Sequence, residues 1–158
     1  MRISLTLAGA LALLALGACG SDDPPETPAA CLTPPSAYLT ALKAAPGEVL
    51  LGGTTPISGC LVEEQEPGAL ASAGESMIAA ATELNERVRR DPDPATIVRL
   101  GYLVGAVQEA AGGTGGIHED LVLRLDAAAR YTGEGGKPFP AEFERSFGDG
   151  YAAGQASG

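Results

Sequence analysis

The sequence predicts an all-α fold, a small helical bundle of three strong and one or two weaker helices, and three observations lead there. Apolar residues recur at helical spacing through three segments, roughly residues 69–90, 94–111 and 117–131. Proline or glycine bounds each of them: Pro67-Gly68, Asp91-Pro92-Asp93-Pro94, Gly112 to Gly116, and Gly133. The one stretch with repeated β-branched residues, Glu48 to Val62, is cut by Gly52-Gly53 and Pro56. It therefore reads as an irregular loop, with at most a short extended piece around Val49 to Leu51.

Taken in order, Thr33-Pro34-Pro35 reads as a helix start, with Thr33 as cap and proline in the first turn. A short helix over 36–45 follows, with Tyr38, Leu39 and Leu42 on one side, and Pro46-Gly47 ends it. Beyond the irregular loop, a long helix runs from Ala69 or Ser72 to Arg90. Ser72-Ala73-Gly74-Glu75 matches a capping box, and Pro67 offers a start one turn earlier. Leu70, Met77, Ala81, Leu84 and Val88 form its inward stripe, while Glu83–Arg87 and Glu86–Arg90 pair outside. Asp93 caps the next helix with Pro94 in first position; Ile97, Leu100, Val104, Val107 and Ala111 keep register, and Val98 and Leu103 widen the arc, marking this helix as central. Its Gly101-x-x-x-Gly105 predicts close packing against a neighbouring helix, because Arg99 and Glu109 are too near for a membrane span. The third strong helix, Ile117 to Tyr131, aligns Ile117, Leu121, Leu125 and Ala128. A loop over 132–139 leads to a weaker helix from Pro140 carrying Phe143, Phe147 and Tyr151 at four-residue intervals, with a frayed tail beyond Tyr151. That aromatic stripe either closes a core or forms an exposed partner surface, since Gly148, Gly150 and Gly154 weaken the helix beneath it.

At 158 residues the chain suits one domain. Twenty-two glycines, twelve prolines, 4% aromatics and no tryptophan leave a thin core built on Leu, Ile, Val and Ala, one that would profit from a staple. Ten basic residues against twenty acidic ones give a formal net charge of −10, which phosphate backbones repel, so nucleic-acid partners are excluded. Anionic lipid repels it equally; attachment to a membrane needs something hydrophobic.

The first residues supply that. Met1-Arg2 starts positive, and Ile3 to Leu16 is apolar except for Ser4 and Thr6. The run is too short to span a bilayer, which takes about 20 residues, and fits the apolar region of an export signal. It ends in Leu16-Gly17-Ala18-Cys19, which resembles the lipobox of bacterial lipoproteins over the first twenty residues only. The resemblance implies residues 1–18 as a signal peptide cleaved after Ala18, and a diacylglyceryl thioether on Cys19, in many bacteria with a further acyl chain on the new amine. Two acyl chains suffice for stable anchoring. The membrane-lipid partner is thus held through Cys19, with the protein on the extracytoplasmic side of the cell membrane, or on the outer membrane where the host has one. Residues 20–30, GSDDPPETPAA, complete a solvated acidic tether of residues 19–30, roughly 35 Å long when stretched. Residues 31–158 form the single helical domain.

With Cys19 assigned to lipid by that resemblance, Cys31 and Cys60 remain, both in a compartment where disulfides persist. Their pairing would close the irregular loop and contribute about 3–4 kcal/mol on a chain-entropy estimate.

Sites of chemistry are few. Glu63, Glu64 and Glu66 lack the alternating D-x-D-x-D-G spacing of a calcium loop. Arg87, Arg89 and Arg90 suit a helix C-terminus better than an anion site. Gly112 to Gly116 precedes Ile117-His118-Glu119 rather than Gly-Lys-Ser/Thr, so phosphate is not expected there. His118, the only histidine, reads as exposed at a helix start, with no partner at i+4 beyond Val122. No catalytic residue, metal ligand set or cofactor motif stands out. The leading expectation is a non-enzymatic envelope interaction or ligand-binding module for an unknown protein or ligand, with Phe143, Phe147 and Tyr151 as the candidate partner surface. The alternative is a small hydrolase whose carboxylates assemble only in three dimensions.

Overall fold

The computed structural model describes residues 26–130 and 140–158. Cys19, the signal segment and most of the tether therefore lie outside the described residues, as do the loop over 132–139 and the end of the third strong helix at Tyr131. The rest is an all-α bundle with one small hairpin.

Proline sets where the early helices begin. α1 (Pro35–Ala41), α2 (Pro67–Arg90) and α3 (Pro94–Gly112) each carry it in the first turn, where its fixed φ is helical and its missing N–H would have had no partner. α4 (Glu119–Ala129) instead opens on Glu119 and Asp120, which face the positive end of the helix dipole. α5 (Ala141–Ser157) follows Pro140 and has Glu142 and Glu144 in its first turn. Of the caps expected from sequence, Asp93 holds: its Oδ2 accepts from the Thr96 amide at 2.9 Å and from the Thr96 hydroxyl at 2.9 Å. These bonds draw the Asp93 carboxyl below the usual carboxylate range. Thr33 does not cap α1; its hydroxyl turns back to the Ala30 carbonyl at 2.7 Å, within a 3₁₀ turn at Ala29–Leu32. Ser72 is an interior residue of α2, which starts at Pro67.

Between α1 and α2, β1 (Leu50–Leu51) pairs antiparallel with β2 (Thr55–Pro56), Leu50 opposite Pro56. Gly52 and Gly53 turn the hairpin with φ of 60° and 82°, values only glycine takes freely. Cys60 lies just beyond and is bonded to Cys31, with Cα atoms 5.4 Å apart. The loop is thereby pinned to the start of the fold. Folded chain begins earlier than Cys31, because Thr27 is already buried.

The main core is largely aliphatic, and its fully buried aromatic side chains are two tyrosines. Tyr38 and Tyr102 are both fully buried, and each hydroxyl is bonded. Tyr38 donates to the Cys31 carbonyl at 2.8 Å, and burial pushes its phenol well above the ordinary value, so it stays a donor. Tyr102 donates to Ser157 O at 3.0 Å and accepts from the Val49 amide at 3.3 Å. The end of α5 is tied to α3 by that bond, so the tail expected to fray after Tyr151 is helical to Ser157.

α3 is the central element, buried on all sides from Leu100 to Val107. Its closest neighbour is α5, and glycine makes the closeness possible. A methyl group at Gly101 or Gly105 would strike the backbone of Phe147 or Tyr151; one at Gly150 or Gly154 would strike the backbone of Val98 or Tyr102. The contacts advance together along both helices, Val98 with Gly150 and Tyr102 with Gly154, so the two run parallel, with α4 carrying the chain back between them. Their Cα hydrogens point at carbonyl oxygens of the facing helix, which favours weak Cα–H···O bonds. The glycines that weaken α5 as a lone helix are the ones that let it dock.

Candidate functional site

How α5 docks decides where its aromatic residues go. Gly150 faces α3, and Tyr151 is turned about 100° from it around the helix. Phe143, near the start of α5, is buried with Val88 and Ile97 in a small second core. Phe147 and Tyr151 are half-buried. The rings lie nearly parallel, Phe143 to Phe147 at 6.0 Å and Phe147 to Tyr151 at 6.4 Å between centroids, forming one continuous wall. Both readings of the stripe thus meet in it: its first ring closes a core, and the other two border a cleft.

The cleft has a volume of about 480 Å³, within the range of small-ligand sites. Val104 and Gln108 of α3 form its floor, and Asp126 and Ala129 of α4 its second wall, with Arg130 just past the helix end. It is apolar except at one end. There Gln108 Nε2 donates to Asp126 Oδ1 at 2.9 Å, Tyr151 OH donates to Gln108 Oε1 at 2.6 Å, and Gln155 Nε2 donates to Tyr151 OH at 3.2 Å. The Gln108 amide is fixed by opposite demands at its two ends. The Asp126 carboxylate is half-buried, whereas Arg130 and Glu144 at the mouth are exposed. Among the described residues, the carboxylates lining the cleft are therefore Asp126, engaged by Gln108, and Glu144, in solvent.

The chain matches no family model, no curated protein and no solved structure.

Several of the other singled-out residues have structural partners. His118 is fully buried, not exposed as its helix-start position suggested. Its partners lie at i−4 and far away in sequence: Nδ1 is 2.7 Å from Thr114 Oγ1, and Nε2 is 2.7 Å from Gln65 Oε1. Gln65 Nε2 donates to Thr27 Oγ1 and to Cys60 O, both at 2.9 Å, which turns its carbonyl toward the ring and assigns the Nε2 proton to His118. The Thr114 hydroxyl is 2.7 Å from Nδ1 and from Ala111 O and can donate to either. Burial pushes the imidazole below its ordinary value. This network sews the first folded residues, the disulfide loop and α4 together. Ile117, placed on the inner stripe by its spacing, is 46% exposed, because α4 starts only at Glu119 and His118 takes the inward position.

Arg87 pairs with Glu83, and Arg89 donates to Arg130 O at 3.2 Å, so two members of the arginine cluster serve helix pairing and the end of α4. Asn85, buried in α2, donates to Ala128 O at 2.8 Å and Arg130 O at 3.1 Å and caps α4 from across the bundle. In the glycine loop, a Cβ on Gly116 would stand 3.2 Å from the Glu119 carboxylate, a poor neighbour for phosphate. Between exposed Glu64 and Glu66, Gln65 turns inward. Among the described residues, no group of three or more His, Cys, Asp or Glu could hold a metal ion, and no helix is long and apolar enough to cross a membrane.

Sequence reasoning found one wall of the cleft and missed the rest. Val104 and Gln108 are one turn apart on α3, with a polar residue interrupting an apolar stripe; that was the available signal. Asp126 and Arg130 gave none, because their role depends on how far α4 stands from α5.

Proposed function

We propose that this protein is a lipid-anchored extracytoplasmic lipoprotein whose folded part is a non-enzymatic envelope interaction or ligand-binding module, and that the cleft between α4 and α5 is where it binds. The observation that carries this reading is the cleft itself, a cavity of about 480 Å³ walled by Phe147 and Tyr151 with a polar cluster at one end. Apolar walls with few placed polar groups are the usual makeup of a ligand site. The Leu16-Gly17-Ala18-Cys19 motif supports the anchor, and the Cys31–Cys60 disulfide suits an oxidising compartment.

Two measurements on the protein in its own envelope test this. Mass spectrometry of the mature N-terminus should find Cys19 first in the chain and carrying a diacylglyceryl group; an unmodified Cys19 overturns the anchor. A photo-cross-linking residue at position 147 should give a discrete light-dependent adduct that the same residue at exposed Ser36 on α1 does not. Equal labelling from both positions, or none, overturns the cleft as the binding face.

A further inference from the structure

The charge arrangement in the cleft selects a class of ligand. Among the described residues, three charged side chains line it: Asp126 inside, Arg130 and Glu144 at the mouth. The two at the mouth are exposed and of opposite sign, so solvent screens each and they largely cancel at a distance. Asp126 is half-buried and less screened. One of its oxygens accepts from Gln108; the other has no hydrogen-bond partner among the described residues. Gln108 cannot turn to serve a second acceptor, because its carbonyl is taken by the Tyr151 hydroxyl. The polar end of the cleft thus offers a carboxylate oxygen, with Tyr151 held by the same Gln108 amide, and the rest offers apolar surface along Val104, Ala129 and Phe147.

A cation satisfies both parts of that end. Carboxylate and aromatic π-systems each attract an ammonium, and the carboxylate repels an anion. The formal net charge of −10 adds long-range attraction of the same sign. We propose that the cleft binds an organic cation with an apolar body, its cationic head against Asp126 and Tyr151 and its body along Phe147 and Val104. This deepens the binding-module reading and rests on it.

The test uses three small, water-soluble probes with the same apolar body: benzyltrimethylammonium, benzyl alcohol and phenylacetate. They are titrated into the full chain carrying Cys19→Ser, which removes bound lipid as a competitor, and binding is followed through backbone amide resonances. The expected result is localised shifts at Val104, Gln108, Phe147 and Tyr151, with the ammonium bound about tenfold more tightly than the alcohol and the phenylacetate weakest. Asp126→Asn keeps an acceptor for Gln108 and removes the charge; it should bring the ammonium down to the affinity of the alcohol. If all three probes shift the cleft resonances with equal affinity, or phenylacetate binds best, the preference for a cation is overturned while the cleft stands as a binding site. If no probe shifts those resonances, both readings fall. Shifts from the ammonium scattered over the acidic surface, unchanged by Asp126→Asn, also overturn the inference.

Discussion

Substituting Gly150 by alanine should destabilise this protein, although alanine is the better helix former. At an unconstrained interior helix position, Gly→Ala gains about 0.5–1 kcal/mol. Gly148, one turn-fraction away on α5, is such a position, since a Cβ there meets nothing within 4 Å. At Gly150 the same Cβ would stand 2.8 Å from the carbonyl carbon of Val98 and 2.9 Å from its Cα, closer still to the oxygen, where ordinary contact begins at 3.4 Å. The obstacle is backbone, so no side chain can swing aside, and α5 must move off α3. Overpacking of this kind costs about 1–3 kcal/mol. It also loosens the facing contacts at Gly101, Gly105 and Gly154. Set against the propensity gain, Gly150→Ala should lose about 1–2 kcal/mol net, while Gly148→Ala gains up to about 1 kcal/mol. The assay is urea unfolding of both variants, read as the separation of their midpoints at unchanged m. A gap of roughly 2–3 kcal/mol is expected from these terms. Two variants of equal stability within about 0.5 kcal/mol, less than the propensity gain alone, would refute the glycine-mediated docking of α5.

His118 should make stability depend on pH just below neutrality, because it is the only histidine, the side chain whose ordinary value lies there. Burial lowers its pKa in the folded protein, so on acidification the unfolded chain takes up the proton first. Its contribution is complete above the unfolded value of about 6.5 and is lost as pH falls from there through the lower folded value. Unfolding free energy measured between pH 7 and 5 should therefore decline more steeply in the native protein than in His118→Gln; parallel slopes would contradict the burial of the neutral ring. Replacing Cys31 and Cys60 together by alanine should cost about 3–4 kcal/mol, from a sequence separation of 29 residues and the loop-entropy relation. A loss below about 1 kcal/mol, well under that relation, would mean that the Gln65 and Tyr38 hydrogen bonds alone hold the loop.

Much of the helical pattern was readable because it is local. Proline in the first turn of α2 and α3, the Asp93 cap and the aliphatic stripes each act within a few residues of chain. The errors came where the deciding partner is remote. Helical spacing offers His118 only Val122 at i+4, whereas its partners are Thr114, a turn upstream, and Gln65, 53 residues away. Residues beyond Tyr151 looked frayed because their glycines are poor helix formers; the backbone of α3 supplies the docking that propensity lacks.

The sequence by itself determined the class of fold, the places where helices begin and break, and the pair of cysteines available to staple the loop, since each follows from local backbone preference or from simple counting. Only the tertiary structure decided which glycines are contacts rather than breaks, which of three evenly spaced aromatics is core and which are cleft wall, and which carboxylate is left half-buried with one oxygen unpaired among the described residues. The physical reason is that a helix fixes the angles between its own side chains but not the distance to the next helix. Here glycine brings α5 against α3, and that close approach leaves the cleft open toward α4.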